Sequence, residues 1–527
     1  MDAPASDSPT IRQQVFSLLR DLGMTTIFGN PGSTELPMFR DFPDDFHYVL
    51  GLQEAVVVGM ADGFAQASGK AAFVNLHSAA GVGNAMGAIF TASRNRSPLV
   101  IVAGQQAREL LPFDPFLGSA RAAELPLPHV KWSCEPARAE DVGRAVQRAW
   151  LIATQPPYGP TLVSVPSDDW ERMAAPLPRR ERLGEPETPA ESAIAMIGDA
   201  LDRAVSPTLI AGAELDSEAG WQLTKELAER YGAAVWSPPM SHRCAFPQDH
   251  PLFAGHLAAR PEAMQAQLEK HDLVLVLGAP AFTYHVPGSP PWVAPGTRLF
   301  HVSNDNEYAA AAVEGMFVPG NCCGALRALL ARQLPNCPKT PQTNKYRPEG
   351  ESSGLTAATV LAELDRLRNV DSILVEEAPS NRPDIQACMQ IRRAKGYYAM
   401  ASGGLGFGLS AAVGIALASP DKQVIAIIGD GSAMYALPAL WSAAQEGVPL
   451  KVLILNNGGY AALDGFARQF KMEPVGTKLP HLDFVKLAEG QGIVANRVDQ
   501  EGDLAGAMRS WLAARGAALL EVKVQTQ

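Results

Sequence analysis

The chain has 527 residues, of which 47% are hydrophobic and 19% are charged, so it can bury substantial cores and disorder is excluded. Its net charge of -11 carries no basic stripe, which argues against a nucleic acid partner and against binding to anionic membranes. Six cysteines fit neither a metal spacing nor a dense disulfide framework, and this usage favours a reducing cytoplasm.

Strand-like and helix-like patterns alternate along the chain, which predicts three doubly wound, parallel-sheet α/β domains. The predicted order is a flexible tail over residues 1–10, an N-terminal domain over 11–185, a central domain over 190–340 and a C-terminal domain over 355–527. Predicted strands cover residues 26–28, 72–76, 99–102, 161–165, 207–211, 273–277, 299–302, 423–428 and 452–455. Polar, proline-rich linkers are expected at 175–188 and 338–354.

The segment from Gly396 to Pro420 contains no charged residue and is long enough to span a bilayer. Five glycines between Gly403 and Gly414 make it a poor membrane helix. We therefore predict a glycine-rich turn followed by a helix of the protein core, and no membrane span.

A carboxylate and a carboxamide follow two of the predicted strands. Asp430 comes after the strand at 423–428, and Asn457 comes after the strand at 452–455. Ligands of parallel sheets collect beyond the carboxyl ends of strands, and Mg²⁺ prefers oxygen ligands. We therefore predict that Asp430, Asn457 and a carbonyl near Gly459 bind a divalent cation, and that Gly431 and Ser432 open a helix toward a phosphate. The alternative is an ordinary strand-to-helix turn with a second turn at the asparagines.

This pattern resembles the diphosphate signature of thiamine-diphosphate enzymes. Further motifs are similar to those of the 2-oxo acid decarboxylases in that family, and most of all to benzoylformate decarboxylases. These motifs occupy residues 28–33, 53–55, 61–65, 76–81 and 403–407. The resemblance extends over nearly the whole chain, from about residue 11 to the C-terminus.

The resemblance implies cofactor contacts at named residues. Glu54 would hydrogen-bond the pyrimidine ring of thiamine diphosphate, Leu405 would hold the two rings of the cofactor in a bent conformation, and the carbonyl of Gly403 would accept from its amino group. Glycines on both sides of Leu405 indicate close backbone approach. The remaining contacts are expected from Ser380, Gly429, Asp430, Gly431, Ser432, Asn457, Gly459 and Tyr460. Taken alone, Glu54 also fits a helix surface and Leu405 also fits a core.

The same resemblance points to three residues on the substrate side. Ser33 would bind the substrate carboxylate, His77 would donate to a developing oxyanion, and His285 would serve as a second proton donor. Without the resemblance, they fit a turn serine, a strand-end histidine and an exposed loop histidine. The predicted pocket walls are Phe116, Leu117, Ala399, Ala462 and Phe466.

The pocket walls depart from the family pattern at several positions. Ala399 stands where benzoylformate decarboxylases carry phenylalanine, Pro379 replaces a threonine, and Asp464 with Gly465 replaces an Arg-Trp pair. A lost aromatic ring leaves space and removes apolar contact, worth on the order of 1–3 kcal/mol. The sequence therefore predicts the cofactor chemistry more closely than the preferred substrate.

The expected function is non-oxidative decarboxylation of an aromatic 2-oxo acid, dependent on thiamine diphosphate and on Mg²⁺ or Ca²⁺. Self-association to a dimer or tetramer is also implied, with sites at the subunit interface. Two alternatives stay open at this stage. One is a carboligase of the benzaldehyde lyase or acetohydroxy acid synthase type, and the other is a cofactor-binding protein without catalysis.

Overall fold

The computed structural model describes residues 8–178, 188–280, 283–289, 293–312, 314–333 and 354–525. Within these ranges the chain forms two compact units. One contains the described parts of 1–183, 375–381 and 402–527, and the other contains those of 184–374 and 382–401. The expected linkers at 175–188 and 338–354 and the expected tail at 1–10 lie largely outside the described residues, and the domain boundaries stay predictions.

The N-terminal part of the chain builds the first parallel six-stranded sheet, whose strand order is β2-β1-β3-β4-β6-β5. The four central strands of this sheet are buried, mostly apolar runs of the kind that helices cover on both faces, whereas its two edge strands are only partly buried. The strands are β1 Thr26–Asn30, β2 His47–Leu50, β3 Ala72–Leu76, β4 Leu99–Gln105, β5 Ser133–Cys134 and β6 Thr161–Pro166, and the helices are α1 Ile11–Asp21, α2 Glu54–Ser68, α3 Ser78–Arg94 and α4 Val142–Ala153.

The middle of the chain repeats the pattern in a second parallel sheet, with the order β12-β11-β10-β7-β8-β9. Leu275 and Phe300 from its central strands lie in one hydrophobic core with Leu227 and Leu326 from the helices. The strands are β7 Pro207–Ala211, β8 Ala234–Ser237, β9 Phe253–His256, β10 Leu273–Leu277, β11 Arg298–Ser303 and β12 Met316–Pro319, and the helices are α5 Glu191–Arg203, α6 Glu218–Tyr231, α7 Pro261–Leu268, α8 Asn306–Ala311 and α9 Cys322–Leu330.

A third six-stranded sheet has the order β14-β13-β15-β16-β18-β17. Its strands are β13 Ile373–Glu377, β14 Tyr397–Tyr398, β15 Val424–Gly429, β16 Leu450–Asn456, β17 Val494–Val498 and β18 Ala518–Lys523. The helices of this part are α10 Ala357–Leu367, α11 Arg382–Cys388, α12 Phe407–Ala418, α13 Asp430–Ala433, α14 Pro438–Glu446, α15 Ala461–Gln469, α16 Phe484–Glu489 and α17 Glu501–Ala513. The predicted α/β class and the nine predicted strands are confirmed.

Within the first unit, α2 and α12 approach each other through glycines. A Cβ atom added at Gly63 would lie 2.2 Å from the carbonyl oxygen of Ala411, and one at Gly414 would lie 1.8 Å from that of Met60. Both distances are far below van der Waals contact, so only glycine allows the two helix backbones to come this close. The contact joins the helix that begins at Glu54 to the helix that follows Leu405.

In the uncharged segment at Gly396 to Pro420, the short strand β14 comes first, and the predicted turn and buried helix follow it. Helix α12 is buried on nearly all sides, which explains why its sequence is apolar without a polar face. In the part of the chain that the structure describes, no helix combines the length and apolarity that crossing a bilayer requires.

Candidate active site

The carboxyl ends of β15 and β16 lie side by side. The two strands pair in parallel, and Gly429 at the end of β15 is opposite Leu455 near the end of β16. Asp430 and Asn457 therefore follow neighbouring strands at the same edge of the sheet. This is the edge at which open parallel sheets bind their ligands.

The Asp430 side chain has an oxygen without a hydrogen-bond partner. Oδ1 accepts a hydrogen bond from Gly431 N at 2.9 Å, whereas the buried Oδ2 accepts none from the described residues. Burial raises the pKa of Asp430, although the amides of Gly431, Gly459 and Gly458 act in the opposite direction. A buried carboxylate oxygen is costly to leave unpaired, so this atom fits a cation ligand.

The donor set of this site contains a single carboxylate. Among the described residues, no three His, Cys, Asp or Glu side chains form a cluster that could hold a metal ion. Asp430, the Asn457 side chain and a backbone carbonyl are oxygen donors of the kind that suit a hard cation bound together with phosphate. The residues therefore fit the predicted metal and diphosphate, and their roles stay predictions.

The helix predicted to open at Gly431 and Ser432 differs from the structure. Helix α13 begins one residue earlier, at Asp430, and contains only four residues, with Gly429 as its N-cap. A separate helix, α14, begins at Pro438, whose fixed φ suits the first turn of a new helix. The sequence shows the helical run but not this interruption.

The turn after Asn457 is built from glycines with positive φ angles. Gly458 has φ +77° and Gly459 has φ +159°, and a Cβ atom at Gly459 would meet the Thr477 carbonyl oxygen at 2.2 Å. Tyr460 follows, and its ring lies against Gly431, where an added Cβ atom would be 2.3 Å from the tyrosine Cε1. The turn is therefore held close to the segment that carries Asp430.

Ser380 contacts the beginning of helix α15, just after Tyr460. It lies in a short 3-10 helix, Pro379–Asn381, that follows β13, and its Oγ accepts a hydrogen bond from Ala462 N at 2.9 Å. Ala462 is in the first turn of α15, where Phe466 stacks on Phe470. Ser380 thus contacts one predicted pocket residue, Ala462, and a second, Phe466, lies about one turn further along the same helix.

The glycine-rich loop before α12 depends on backbone conformation. Gly403 has φ +79° with no atom within 4 Å of an added Cβ, so its conformation explains the glycine. Gly406 has φ +104°, and an added Cβ atom would lie 3.2 Å from the Cβ atom of Tyr435. The close approach predicted for the glycines beside Leu405 is therefore observed at Gly406. Leu405 is half-buried between them.

Glu377 binds this loop through hydrogen bonds, and this residue was not predicted from the sequence. It is fully buried at the end of β13, and its Oε1 accepts a hydrogen bond from Gly406 N at 2.7 Å. Its Oε2 accepts from Gly408 N at the start of α12. Burial raises the pKa of Glu377 to about 7, despite these backbone hydrogen bonds. The acidic pair at the end of an apolar strand was the available signal.

The raised pKa of Glu377 predicts how stability depends on pH. The folded protein binds the proton more tightly than the unfolded chain, so the stabilisation is complete below pH 4.5 and is lost as pH rises toward about 7. Relative to Glu377→Gln, we expect the wild type to lose on the order of 3 kcal/mol across this window. Denaturant unfolding of both proteins at pH 5 and pH 8 measures the difference. A difference independent of pH would contradict the buried-acid assignment.

Glu54 is the first residue of α2 and is 8% exposed. Its Oε2 accepts a hydrogen bond from Asn84 Nδ2 at 3.1 Å. A Cβ atom at Gly81 would lie 3.2 Å from Oε1, so the glycine of the 76–81 motif makes room for this carboxylate. The helix-surface alternative for Glu54 does not match this burial.

Ser33 and His77 lie at the ends of neighbouring strands, β1 and β3. The imidazole lies against Gly32, where an added Cβ atom would be 2.1 Å from His77 Nδ1. His77 Nδ1 is 2.7 Å from Oε2 of Glu35, a buried residue that was not predicted from the sequence. Nδ1–H donation to this carboxylate leaves Nε2 of the ring for another partner.

Among the described residues, the Glu35 carboxylate has four hydrogen-bond partners, all of them within the first unit. Besides His77, its carboxylate accepts hydrogen bonds from Gly32 N at 2.8 Å, Thr34 Oγ1 at 2.6 Å and Ser78 N at 3.2 Å. His77 itself is the N-cap of α3. Glu35 thereby fixes the loop of Ser33 and the ring of His77 together.

His285 and Ala399 belong to the second unit. The His285 backbone N–H donates to the Ala259 carbonyl at 2.9 Å, and its side chain is exposed. Ala399 is fully buried, and its N–H donates to the His242 carbonyl at 2.9 Å. The joint action of His285 with His77 stays a prediction.

The predicted pocket walls near residue 116 lie in a surface loop of the first unit. Phe116 is 86% exposed, and Leu117 has the left-handed φ of +65°. The side chain of Gln106 fixes this loop by donating to the Phe116 carbonyl at 2.9 Å.

Comparison with known proteins identifies the family. The thiamine pyrophosphate enzyme models match in chain order: the N-terminal TPP binding domain at 9–122, the central domain at 194–329 and the C-terminal TPP binding domain at 383–522. Benzoylformate decarboxylase of Pseudomonas aeruginosa is 43% identical over 98% of this chain and 99% of its own.

Solved structures agree with this match. The 4-hydroxybenzoylformate decarboxylase of Rhodococcus jostii has a TM-score of 0.94 at 41% identity, covering 98% of this chain and 100% of the other. Benzoylformate decarboxylase of Polynucleobacter necessarius has a TM-score of 0.92 at 36% identity, with 98% and 99% covered. Acetolactate synthases match at 26–28% identity. The chain therefore belongs to the thiamine pyrophosphate enzymes.

Proposed function

We propose that this protein decarboxylates an aromatic 2-oxo acid related to benzoylformate, giving the aldehyde and CO₂ without oxidation. The observation that carries the proposal is His77, held by buried Glu35 beside Ser33, in a chain whose relatives include benzoylformate decarboxylases. A fixed imidazole at a strand end can donate a proton to an oxyanion of the substrate. The protein is a carboxy-lyase.

Thiamine diphosphate, when bound, supplies the electron sink for loss of CO₂. Glu54 would exchange a proton with the pyrimidine ring, Leu405 would support the cofactor between its two rings, and the Gly403 carbonyl would accept from the amino group. Asp430, Asn457 and Gly459 would hold Mg²⁺ or Ca²⁺. The other cofactor contacts come from Ser380, Gly429, Gly431, Ser432 and Tyr460.

On the substrate side, Ser33 binds the carboxylate, and His77 and His285 donate protons at separate steps. The pocket is lined by Phe116, Leu117, Ala399, Ala462 and Phe466. Apolar walls exclude water from the reacting atoms and orient the ring of the substrate.

A panel of 2-oxo acids tests the proposal. Purified protein is supplied with thiamine diphosphate and Mg²⁺, and CO₂ release and aldehyde formation are followed for aromatic and aliphatic acids. We expect equal amounts of CO₂ and aldehyde, with aromatic acids preferred. Absence of turnover on every acid, with cofactor bound, would overturn the proposal.

The second candidate is a carboligase, because acetolactate synthases are among the relatives. Ligation would be detected by adding an acceptor aldehyde and measuring 2-hydroxy ketone against free aldehyde. A product consisting mainly of hydroxy ketone at low acceptor concentration would favour this candidate over decarboxylation.

We also propose that two or four copies assemble, with active sites at the subunit interface. Phe113 and Phe116 are 79% and 86% exposed in the single chain, and a second copy would cover them. The cytoplasm is the proposed location, since none of the five described cysteines forms a disulfide.

The small residue at position 399 is expected to widen substrate choice. We predict that Ala399→Phe shifts preference toward unsubstituted benzoylformate by roughly 10- to 200-fold in relative kcat/KM, as one side chain of apolar contact allows. Kinetics with benzoylformate and para-substituted analogues measure the shift. Because Ala399 is fully buried, the melting temperature of the variant must be compared first. An unchanged order in a folded, cofactor-bound variant would mean that residue 399 does not face the substrate.

A further inference from the structure

Asn456 is the last residue of β16 and precedes Asn457, the proposed metal ligand. Its side chain is bound at both ends. Oδ1 accepts a hydrogen bond from Gly458 N at 3.0 Å, and Nδ2 donates to Glu521 Oε1 at 2.7 Å. Asn456 therefore connects the turn after β16 to strand β18.

Glu521 is a fully buried carboxylate in the interior of β18. Its second oxygen accepts from Arg497 on β17, with Oε2 at 2.9 Å from Nε and 2.8 Å from the terminal nitrogen. Arg497 also binds Asp483 at 2.8 Å. A buried carboxylate is tolerated when it is paired and hydrogen-bonded, and here a guanidinium and an amide satisfy it.

This arrangement fixes the orientation of the Asn456 amide. A carboxylate can only accept hydrogen bonds, so the amide nitrogen must point to Glu521 and the amide oxygen must point to Gly458. The oxygen then holds Gly458 N, while Gly458 adopts φ +77°. The turn lies at the edge of the sheet that carries Asp430, because Leu455 pairs with Gly429 and the Tyr460 ring lies against Gly431. The position of this turn relative to Asp430 thus depends on Asn456.

We propose that Arg497, Glu521 and Asn456 are positioning residues that set the geometry of the Asn457–Gly459 segment and thereby the affinity for the divalent cation. They act without contacting the metal, the cofactor or the substrate. This inference rests on the proposed function, because it requires the cation site at Asp430 and Asn457.

Glu521→Gln tests the inference, because this substitution removes the negative charge and hardly changes the shape of the side chain. The glutamine amide can no longer accept from both partners, so the hold on Asn456 weakens. Calorimetric titration of Mg²⁺ into protein saturated with thiamine diphosphate measures the affinity. We expect it to fall roughly 10- to 100-fold, as for other residues that orient metal ligands. At saturating Mg²⁺, kcat should stay within about threefold of the wild type, because no group that contacts substrate is altered.

Lys523→Gln is the matched control. Lys523 lies on the same strand, two residues beyond Glu521, and its Nζ is 3.6 Å from Asp499 Oδ1 in an exposed pair. It should leave Mg²⁺ affinity unchanged. If Glu521→Gln does not fold, Asn456→Ser replaces it, because this change removes the same connection from the turn side. The double variant should lose no more affinity than the weaker-binding single variant, since both act through one connection.

The outcomes separate the two proposals. Wild-type protein that binds no cofactor in the presence of Mg²⁺ overturns the proposed function. Wild-type protein that binds both, together with a folded Glu521→Gln variant of equal Mg²⁺ affinity, overturns the positioning role. An equal loss of affinity in Lys523→Gln also overturns it, because the effect would then be general destabilisation of β18.

Discussion

Glu54→Gln is expected to lower turnover by roughly 10²- to 10⁴-fold, the usual contribution of a positioned acid–base group. The amide retains the size of the side chain and can still accept from Asn84, whose Nδ2 lies 3.1 Å from Glu54 Oε2. It cannot exchange the proton that the cofactor ring requires. Steady-state decarboxylation with saturating cofactor and Mg²⁺ measures the loss.

Asn84→Ala is the matched control for this prediction. It removes the contact to Glu54 and keeps the carboxylate, so its activity should fall far less than that of Glu54→Gln. Both variants should retain the fold and bind cofactor, measured by circular dichroism and by calorimetry. Turnover of Glu54→Gln within about threefold of the wild type would rule out the activation role.

Asp430→Ala is expected to remove metal and cofactor together. The buried carboxylate is the one charged side chain in the proposed ligand set, and without it too little negative charge remains to hold a divalent cation next to the diphosphate. After dialysis without added metal, the cofactor content of the purified variant should be close to zero, while the wild type keeps its cofactor. Extraction and chromatography of the bound cofactor give the stoichiometry.

Asp421→Ala is the control for Asp430→Ala. Asp421 is an exposed carboxylate in the turn that precedes β15, so it lies toward the opposite end of the same strand. Its removal should leave cofactor content unchanged. Stoichiometric cofactor in dialysed Asp430→Ala would show that the metal site has been assigned to the wrong residues.

Much of the fold could be predicted because buried parallel strands consist of short apolar runs in the sequence. The segment at 424–429 is an example, since all but its last residue are buried and none is polar. Strand order places Asp430 and Asn457 at one edge of the sheet. Because parallel sheets bind ligands at the carboxyl ends of their strands, this position predicts the cation and diphosphate site. By contrast, the separation of α13 from α14 depends on local turn geometry, which has no periodic signal.

The supporting carboxylates could not be predicted with the same ease. Glu35, Glu377 and Glu521 are fully buried, yet each is a residue type that usually lies on the surface. Their burial becomes visible only when the backbone amides and side chains that satisfy them are known. For Glu521, a charged residue inside an apolar strand was a local signal, whereas two of the partners of Glu35, His77 and Ser78, are distant in sequence.

The glycine contact between α2 and α12 has a consequence for how this protein can change over time. Because an added methyl group at Gly63 or Gly414 would overlap a backbone carbonyl, neither helix can be enlarged there without displacing the other. One helix begins at Glu54 and the other follows Leu405, so a shift of either helix would move a residue with a proposed cofactor contact. Helices α2 and α12 are far apart in the sequence, yet a substitution at their contact in one helix must be compatible with the backbone of the other.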